Sequence, residues 1–487
     1  MERDRRRTAE GGPGRLGVER ESARGGLSRR AFVRAALLAG AAPVALGACR
    51  GASEIEEAER ILLDERRREE RARSGSGPLG PLRFRGYAGL SELPWFELDG
   101  AGRLRAADAS LPRGIDLHTH LGMAALFAPA PDLWARSEEV RYLLDCDGRD
   151  SGDEPCELDL DVYINDNFTA AGLRRLRIEA LRQLTIGSAA ARTHTIPNLV
   201  AELDRMRFER ACVLPIDFGL PFRGDTATRF IDAITGSDAE PRLILGGSVH
   251  PHADDAIARL RDQVRRGIRI LKLHPEMQRF YPSEPAAMEL YAECERIGIP
   301  VLFHCGRSGI EPEHLRGFAL PRHFEEAIEA HPRLPFILGH GGARDHVEAV
   351  ALARRYRHVT LGIASLGATA LLEALRSLGP ERFVFGSDWP FYPIATALAK
   401  LLIATREHPA WRAPVLRENA LGILASVEPR RAAFLRSGVA GAGARAGRGA
   451  GRSAGPGRGR EAGRRAAARD RRAGSAPVGG PHQGALR

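Results

Sequence analysis

Lysine is almost absent from this chain. Of 72 basic residues only Lys272 and Lys400 are lysine, and arginine serves wherever a generic cation would do. A lysine kept in an interior-looking strand therefore needs a reason. Long apolar runs are absent too. The run Ala35–Leu46 has twelve residues, short of the ~20 that a bilayer-spanning helix needs. Large apolar residues almost vanish after Leu435, so the Arg/Gly/Ala-rich tail to Arg487 has little from which to build a core. The body also lacks positive charge. The overall +10 is made at the ends: residues 430–487 carry 14 Arg against Glu461 and Asp470, and residues 1–48 carry 10 Arg against five acids, which leaves −7 for residues 49–429. A mildly acidic body argues against nucleic acid as its partner. The tail could touch anionic lipid or nucleic acid, although a composition-biased tail without a partner is the plainer reading.

What is present begins with an address. Ser28-Arg29-Arg30-Ala31-Phe32-Val33 precedes the apolar run, and Leu46-Gly47-Ala48-Cys49 closes it. An arginine pair before such a run resembles a twin-arginine export signal, and the closing tetrapeptide resembles a bacterial lipobox. Residues 1–48 are then an export signal, Cys49 the lipidated first residue of the mature protein, and the bacterial cell envelope its location. The alternative is an ordinary apolar N-terminal helix. Residues 49–81 read as a charged spacer, with 51–73 dense in Glu and Arg as a solvated helix or linker, and Ser74-Gly75-Ser76-Gly77-Pro78 marking the boundary. Residues 82–429 form the folded domain, and residues 430–487 a disordered tail.

Within 487 residues, 43% of them apolar, there is room for one large α/β barrel of about 250 residues or more. Glu97-Leu98-Asp99-Gly100 suggests a small hairpin ahead of it. From residue 111 short β-branched runs alternate with amphipathic segments, the pattern of βα units around a parallel sheet. Strands are predicted at 114–118, 211–217, 243–249, 268–274, 300–304, 335–340, 359–364 and 382–388. Helices are predicted at 198–207, 254–266, 286–297, 323–331, 345–355 and 368–378. Eight strands imply a (β/α)8 TIM barrel with disordered N- and C-terminal extensions. The long connection 121–210 is expected to cover the active face. It holds Cys146 and Cys156, a disulfide pair or two thiols; Cys212, Cys294 and Cys305 fall in core elements as buried thiols.

Active sites of such barrels lie at the C-terminal strand ends, and polar residues of one kind stand there. The first strand ends in His118-Thr119-His120, whose i, i+2 spacing turns both imidazoles to one face of a regular strand. The fifth ends in His304, the sixth in His340 and the eighth in Asp388. A packed core histidine is the ordinary explanation for any one of them. It does not serve for all five.

The motifs Asp116-Leu117-His118-Thr119-His120, Lys272-Leu273-His274-Pro275, Phe303-His304-Cys305-Gly306, Gly339-His340-Gly341-Gly342, Phe385-Gly386-Ser387-Asp388-Trp389-Pro390 and Glu418-Asn419-Ala420 together resemble the metal-dependent amidohydrolase superfamily. The branch is amidohydrolase-2, which includes the aminocarboxymuconate-semialdehyde decarboxylase relatives. The resemblance covers about residues 113–425. It implies one divalent metal, zinc first and manganese as the alternative, bound by His118, His120 and His304, with Asp388 as a further ligand or a hydrogen-bond partner of the metal's water. Asp388 then moves the water's proton, and His340 orients or polarises the substrate or serves as acid/base. Lys272 occupies the place where binuclear relatives carry a lysine carbamate; it bridges two metals, binds a substrate anion or is structural. His274 shares that question. His250 and His252, after the third strand, lean to a structural role.

Two chemistries fit this implied site: hydrolysis of an ester, lactone or amide, and decarboxylation or hydration of an unsaturated or aromatic carboxylic acid. Arg307 and Arg344, which follow the fifth and sixth strands, are the candidate carboxylate binders that would separate them. A lipid-anchored binding protein without catalysis is the third reading. The expected partners are a small-molecule substrate and a membrane reached through Cys49, with a homodimer left open.

Overall fold

The structure is a computed structural model that describes residues 55–123, 129–149, 152–220 and 225–449, with side chains to residue 437. Eight parallel strands make the barrel: β4 Gly114–Thr119, β6 Phe208–Val213, β7 Leu243–Gly247, β8 Ile270–Leu273, β9 Val301–Phe303, β10 Phe336–Leu338, β11 Val359–Gly362 and β12 Phe383–Val384. They neighbour one another in that order, and the seam between β12 and β4 is closed by hydrogen bonds from Leu117 N to Phe385 O (3.0 Å) and from Asp388 N to His118 O (2.8 Å). The (β/α)8 architecture expected from the alternating runs is what the chain adopts.

The strands form where the sequence is apolar without interruption, because helices cover the outer face and side chains fill the inside. Ile115, Cys212, Ile244, Ile270, Leu302, Ile337 and Val384 meet in the interior, joined by Ala420 and Leu424 of the last helix. Their neighbours one step along, such as Leu271, Val301, Phe303, Phe336 and Leu361, pack outward in the layer shared with the helices. Burial of about 25 cal/mol per Å² of apolar surface makes this double layer the main stabilising term. Four short strands precede or flank the barrel: β1 Arg83–Arg85 pairs with β5 Glu157–Asp159, and β2 Phe96–Leu98 with β3 Leu104–Ala106 as the expected hairpin.

Several expectations change. The second strand starts three residues earlier than the 211–217 read from its apolar run. The connection 121–210 contains a helix, Ala170–Thr185, which buries only Leu176 and Gln183. The charged spacer includes a helix, Glu57–Arg73, with a capping box from Glu56 and Glu59. It lies on the barrel rather than standing off, through Arg66 to Glu348 (2.7 Å), Arg67 to Asp166 (2.6 Å) and Glu59 to Arg322. Position 429 does not end the folded body. The last helix, Asn419–Gly449, runs through Pro429, and Phe434 beyond it is buried in the core with the Arg265 and Arg296 guanidinium groups over its ring. The apolar pattern thins at Pro429, but one further aromatic is enough to hold the next turn. Cys146 and Cys156 are bonded, and Cys212, Cys294 and Cys305 are buried thiols. The export motif and Cys49 lie outside the described residues.

Candidate metal centre

His118 reaches the interior through a defect. The pairing of β4 with β6 shifts register between Asp116 and Thr119, and Asp116 Oδ1 accepts from His118 N (3.0 Å) and Ser387 N (3.1 Å). Asp116 thus ties the irregularity to the loop that carries Asp388. Two glycines leave room for the imidazole. A Cβ on Gly339 would meet His118 Cε1 at 3.2 Å, and one on Gly386 would meet His118 Cβ at 2.8 Å. The second ring, His120, lies 5.1 Å from the first, centre to centre. Its Nδ1 is held by the Leu214 carbonyl at 2.8 Å. That fixes the proton on Nδ1 and leaves Nε2 free as a ligand.

The Nε2 atoms of both rings face one carboxylate. Asp388 Oδ1 is 3.5 Å from His118 Nε2 and 3.3 Å from His120 Nε2. His340 comes in from β10, with Nδ1 at 3.0 Å from Ser365 Oγ and 4.0 Å from Asp388 Oδ2. His118, His340 and Asp388 each offer a ligand atom within 4.8 Å of the others. His340 and Asp388 both take left-handed backbone angles, φ +57° and +63°, a conformation costing roughly 1–3 kcal/mol for a non-glycine residue and concentrated at functional sites. Asp388 is steadied from behind. Trp389 Nε1, Ile394 N and Tyr142 OH all donate to the buried Glu202 carboxylate at 2.8 Å.

His304 stands apart from that group. Its ring centre is 4.7 Å from that of His340, but its Nε2 lies 3.2 Å from Glu276 Oε2, and the ring stacks on His274 at 4.1 Å. His274, Glu276 and His304 form a second constellation with metal-ligand spacing. Neither His304 Nε2 nor Glu276 Oε1 has a hydrogen-bond partner among the described residues. Glu276 was not singled out from the sequence. Its one signal was the spacing His274-x-Glu276 just past a strand end.

Lys272 Nζ sits 3.1 Å from His118 Nε2. Burial lowers the ammonium to about 7, so the amine loses its proton near neutrality. Burial, and next the Lys272 charge, hold the His118 imidazole well below its ordinary value; burial brings His304 down to about 3. These rings are neutral at pH 7, as ligands must be. Two imidazoles facing a shared carboxylate fit a divalent cation of the zinc or manganese kind.

Other sequence candidates fall elsewhere. Arg307 is engaged with Asp345 through its Nε at 3.0 Å, and Arg344 with Asp166 at 2.7 Å. Neither is free to receive a substrate carboxylate. His252 pairs with Glu284 at 2.6 Å, and His250 Nδ1 accepts from His252 N, consistent with structural roles.

Comparison with known proteins agrees with this picture. Residues 221–424 match the Amidohydro_2 family model, described as amidohydrolase. No curated protein matches the chain. Among solved structures, an uncharacterized TIM-barrel protein from Bordetella bronchiseptica is 19% identical, with 49% of this chain and 85% of that one covered and a TM-score of 0.42. A 2,6-dihydroxybenzoate decarboxylase from Rhizobium is 16% identical, covering 63% of this chain and 98% of that one, TM-score 0.39. A 5-carboxyvanillate decarboxylase from Novosphingobium aromaticivorans, solved with manganese, is 16% identical over 64% and 96%, TM-score 0.40. The matched segment carries five of the six motifs quoted above and six of the eight barrel strands, so over residues 221–424 this chain is similar to the amidohydrolase-2 family.

Proposed function

We propose that this protein is a metal-dependent hydrolase of esters, lactones or amides. The observation that carries the reading is the convergence of His118 Nε2 and His120 Nε2 on one oxygen of Asp388. A divalent metal, zinc before manganese, would be held by those three residues and would supply an activated water as nucleophile. Asp388 is placed to take a proton at Oδ2, the oxygen turned away from His118 and His120, and to return it to the leaving group. His340, held at Nδ1 by Ser365, presents Nε2 to polarise a substrate carbonyl. Lys272, against His118 and lowered by burial to about 7, exchanges its proton near neutrality; a carbamate there would show as bicarbonate dependence.

Decarboxylation on the same site is the alternative. Besides the metal, it would use an arginine for the substrate's carboxylate, and the two suited by position are engaged by Asp345 and Asp166. That pairing favours hydrolysis. The export motif and Cys49 complete the reading: a lipid-anchored enzyme of the cell envelope, checked by the acyl mass on the mature N-terminus. The catalytic test is a screen of esters, lactones and carboxylic acids with the metal-loaded full chain and its Asp388→Asn variant. Ester or lactone turnover that falls at least ~1,000-fold in the variant supports hydrolysis. Release of CO₂ without ester turnover overturns it.

A further inference from the structure

The helix Ala170–Thr185 is built the wrong way round for a soluble surface. Its inner face is thinly docked: Leu176 is buried, Leu173 packs against the core, and Arg177 donates through Nε and Nη2 to the carbonyls of Ile310 and Gly309, both at 2.9 Å. Its outer stripe follows the helical spacing 174, 175, 178, 181, 182 and ends at 186. That stripe alternates arginine with large apolar side chains. Ile178 is 47% exposed, Leu181 60% and Ile186 65%. Only eight large apolar side chains stand exposed among the described residues, and these three are among them; Ile61 and Leu62 of the helix Glu57–Arg73 are two more. Exposed apolar side chains concentrated in this way mark a contact surface.

Charge says what it contacts. The helix holds Arg174, Arg175, Arg177 and Arg182 against Glu179, a net of +3, on a body (residues 49–429) of net −7. Of the three arginines on the stripe, Arg175 pairs with the exposed Asp153 (2.7 Å) and Arg182 lies 3.8 Å from Glu179. A helix with basic and apolar residues on one outward face suits the headgroup region of an anionic bilayer.

Position bears on it too. Ile55, the first described residue, lines one cavity together with Arg60 and Leu63 of the helix Glu57–Arg73 and with Leu173 and Arg177 of this helix. Ile55 is six residues past Cys49, a reach of at most about 20 Å for an extended chain. The point where the chain would arrive from a membrane anchor is therefore beside this helix, at the face opposite to the stripe's.

We propose that the outward stripe Arg174, Arg175, Ile178, Leu181, Arg182 and Ile186 is a membrane-contact surface that lays the enzyme on an anionic lipid leaflet. The stripe belongs to the connection between β4 and β6, so contact with lipid would bear on the same loop that covers the barrel's catalytic face. Nothing in this depends on which reaction the site carries out.

The test uses the full chain with Cys49→Ser, so that no acyl group contributes, and with Leu181→Cys carrying an environment-sensitive fluorophore. The other free cysteines, at 212, 294 and 305, are buried. Vesicles of phosphatidylcholine are compared with vesicles that also contain phosphatidylglycerol. The proposal expects a blue shift of the label with anionic vesicles only. It also expects partitioning to fall about fivefold for each of Arg174→Gln, Arg175→Gln and Arg182→Gln. Ile178→Ser, an exposed site whose change leaves the fold intact, should reduce the shift with unaltered melting. Protein that sediments with the vesicles while the label stays in water would overturn the proposal and give the binding to the arginine-rich tail. A concentration-dependent shift without vesicles, with a doubled mass in solution, would overturn it in favour of a second copy covering the stripe.

Discussion

At the scale of single residues, the centre depends on small groups as much as on the ligands. His118 fits because Gly339 and Gly386 give way to it. Gly386→Ala puts a methyl group 2.8 Å from His118 Cβ, against a ring already confined by Lys272. The expected result is a loss of metal affinity of about 10- to 100-fold, the range for disturbing a ligand's support, read by competition with a chromogenic chelator. Glu202→Ala acts at a distance from the same centre. It strips the partner from Trp389 Nε1, Ile394 N and Tyr142 OH together, and three stranded donors should cost on the order of 3 kcal/mol or more, measured as thermal or denaturant unfolding.

Lys400, the other lysine, gives a pH prediction. It lies on a wholly buried helix, Ile394–Ala404, with Nζ donating to the Ala364 carbonyl at 3.2 Å, and burial lowers it to about 7. Its ordinary value is ~10.4 in the unfolded chain. Between those values the unfolded chain holds a proton that the folded chain does not, so stability rises with pH from about 7 to about 10. Below about 7 both states are protonated and its contribution to the slope ends. Lys400→Met should flatten the rise, seen as a smaller gain in denaturation midpoint between neutral and alkaline buffer.

At the scale of elements, most of the barrel could be read in the sequence because each strand is an apolar run closed by a polar residue with a job. The match is close for β4, β7 and β11. It is poorer for β12, where Phe385 to Asp388 leave the ladder and enter the site although they continue the apolar run. The i, i+2 rule brought His118 and His120 together, but the irregular pairing at Asp116 was not visible. It depends on a buried carboxylate reaching two backbone amides. Glu276 was hidden for a related reason. His-Pro reads as the end of a strand, and the four-residue helix Pro275–Gln278 that turns Glu276 inward has no periodicity to detect. The helix Ala170–Thr185 escaped because its outward side is as apolar as its inward side. The helix Glu57–Arg73 was legible as a charged helix, but its seat on the barrel was not, since its polar contacts with the barrel reach residues at least 95 positions away.

That seat yields a prediction. Asp166 is buried and holds Arg67 (2.6 Å) and Arg344 (2.7 Å) at once. Asp166→Ala leaves the buried Arg344 without its carboxylate, a change expected to cost about 3–5 kcal/mol. The ion pairs at the exposed rim of the same helix, such as Arg66 to Glu348, are worth at most ~1 kcal/mol each. Arg66→Ala should therefore lower the melting temperature far less than Asp166→Ala does.

At the scale of the whole molecule, an acidic barrel sits between two arginine-rich ends. The barrel supplies a rigid ring of strand ends, and the ring supplies neutral imidazoles around a carboxylate. A cation that binds the folded state alone stabilises it by mass action, so chelation should lower the melting temperature, and zinc or manganese should restore it. The measurement that bears most directly on the centre is metal content by elemental analysis, made on the full chain and its His118→Ala variant. About one zinc or manganese per chain, lost in the variant, is the predicted result. A full chain free of metal after purification without chelator, or a variant that keeps the metal, would contradict it.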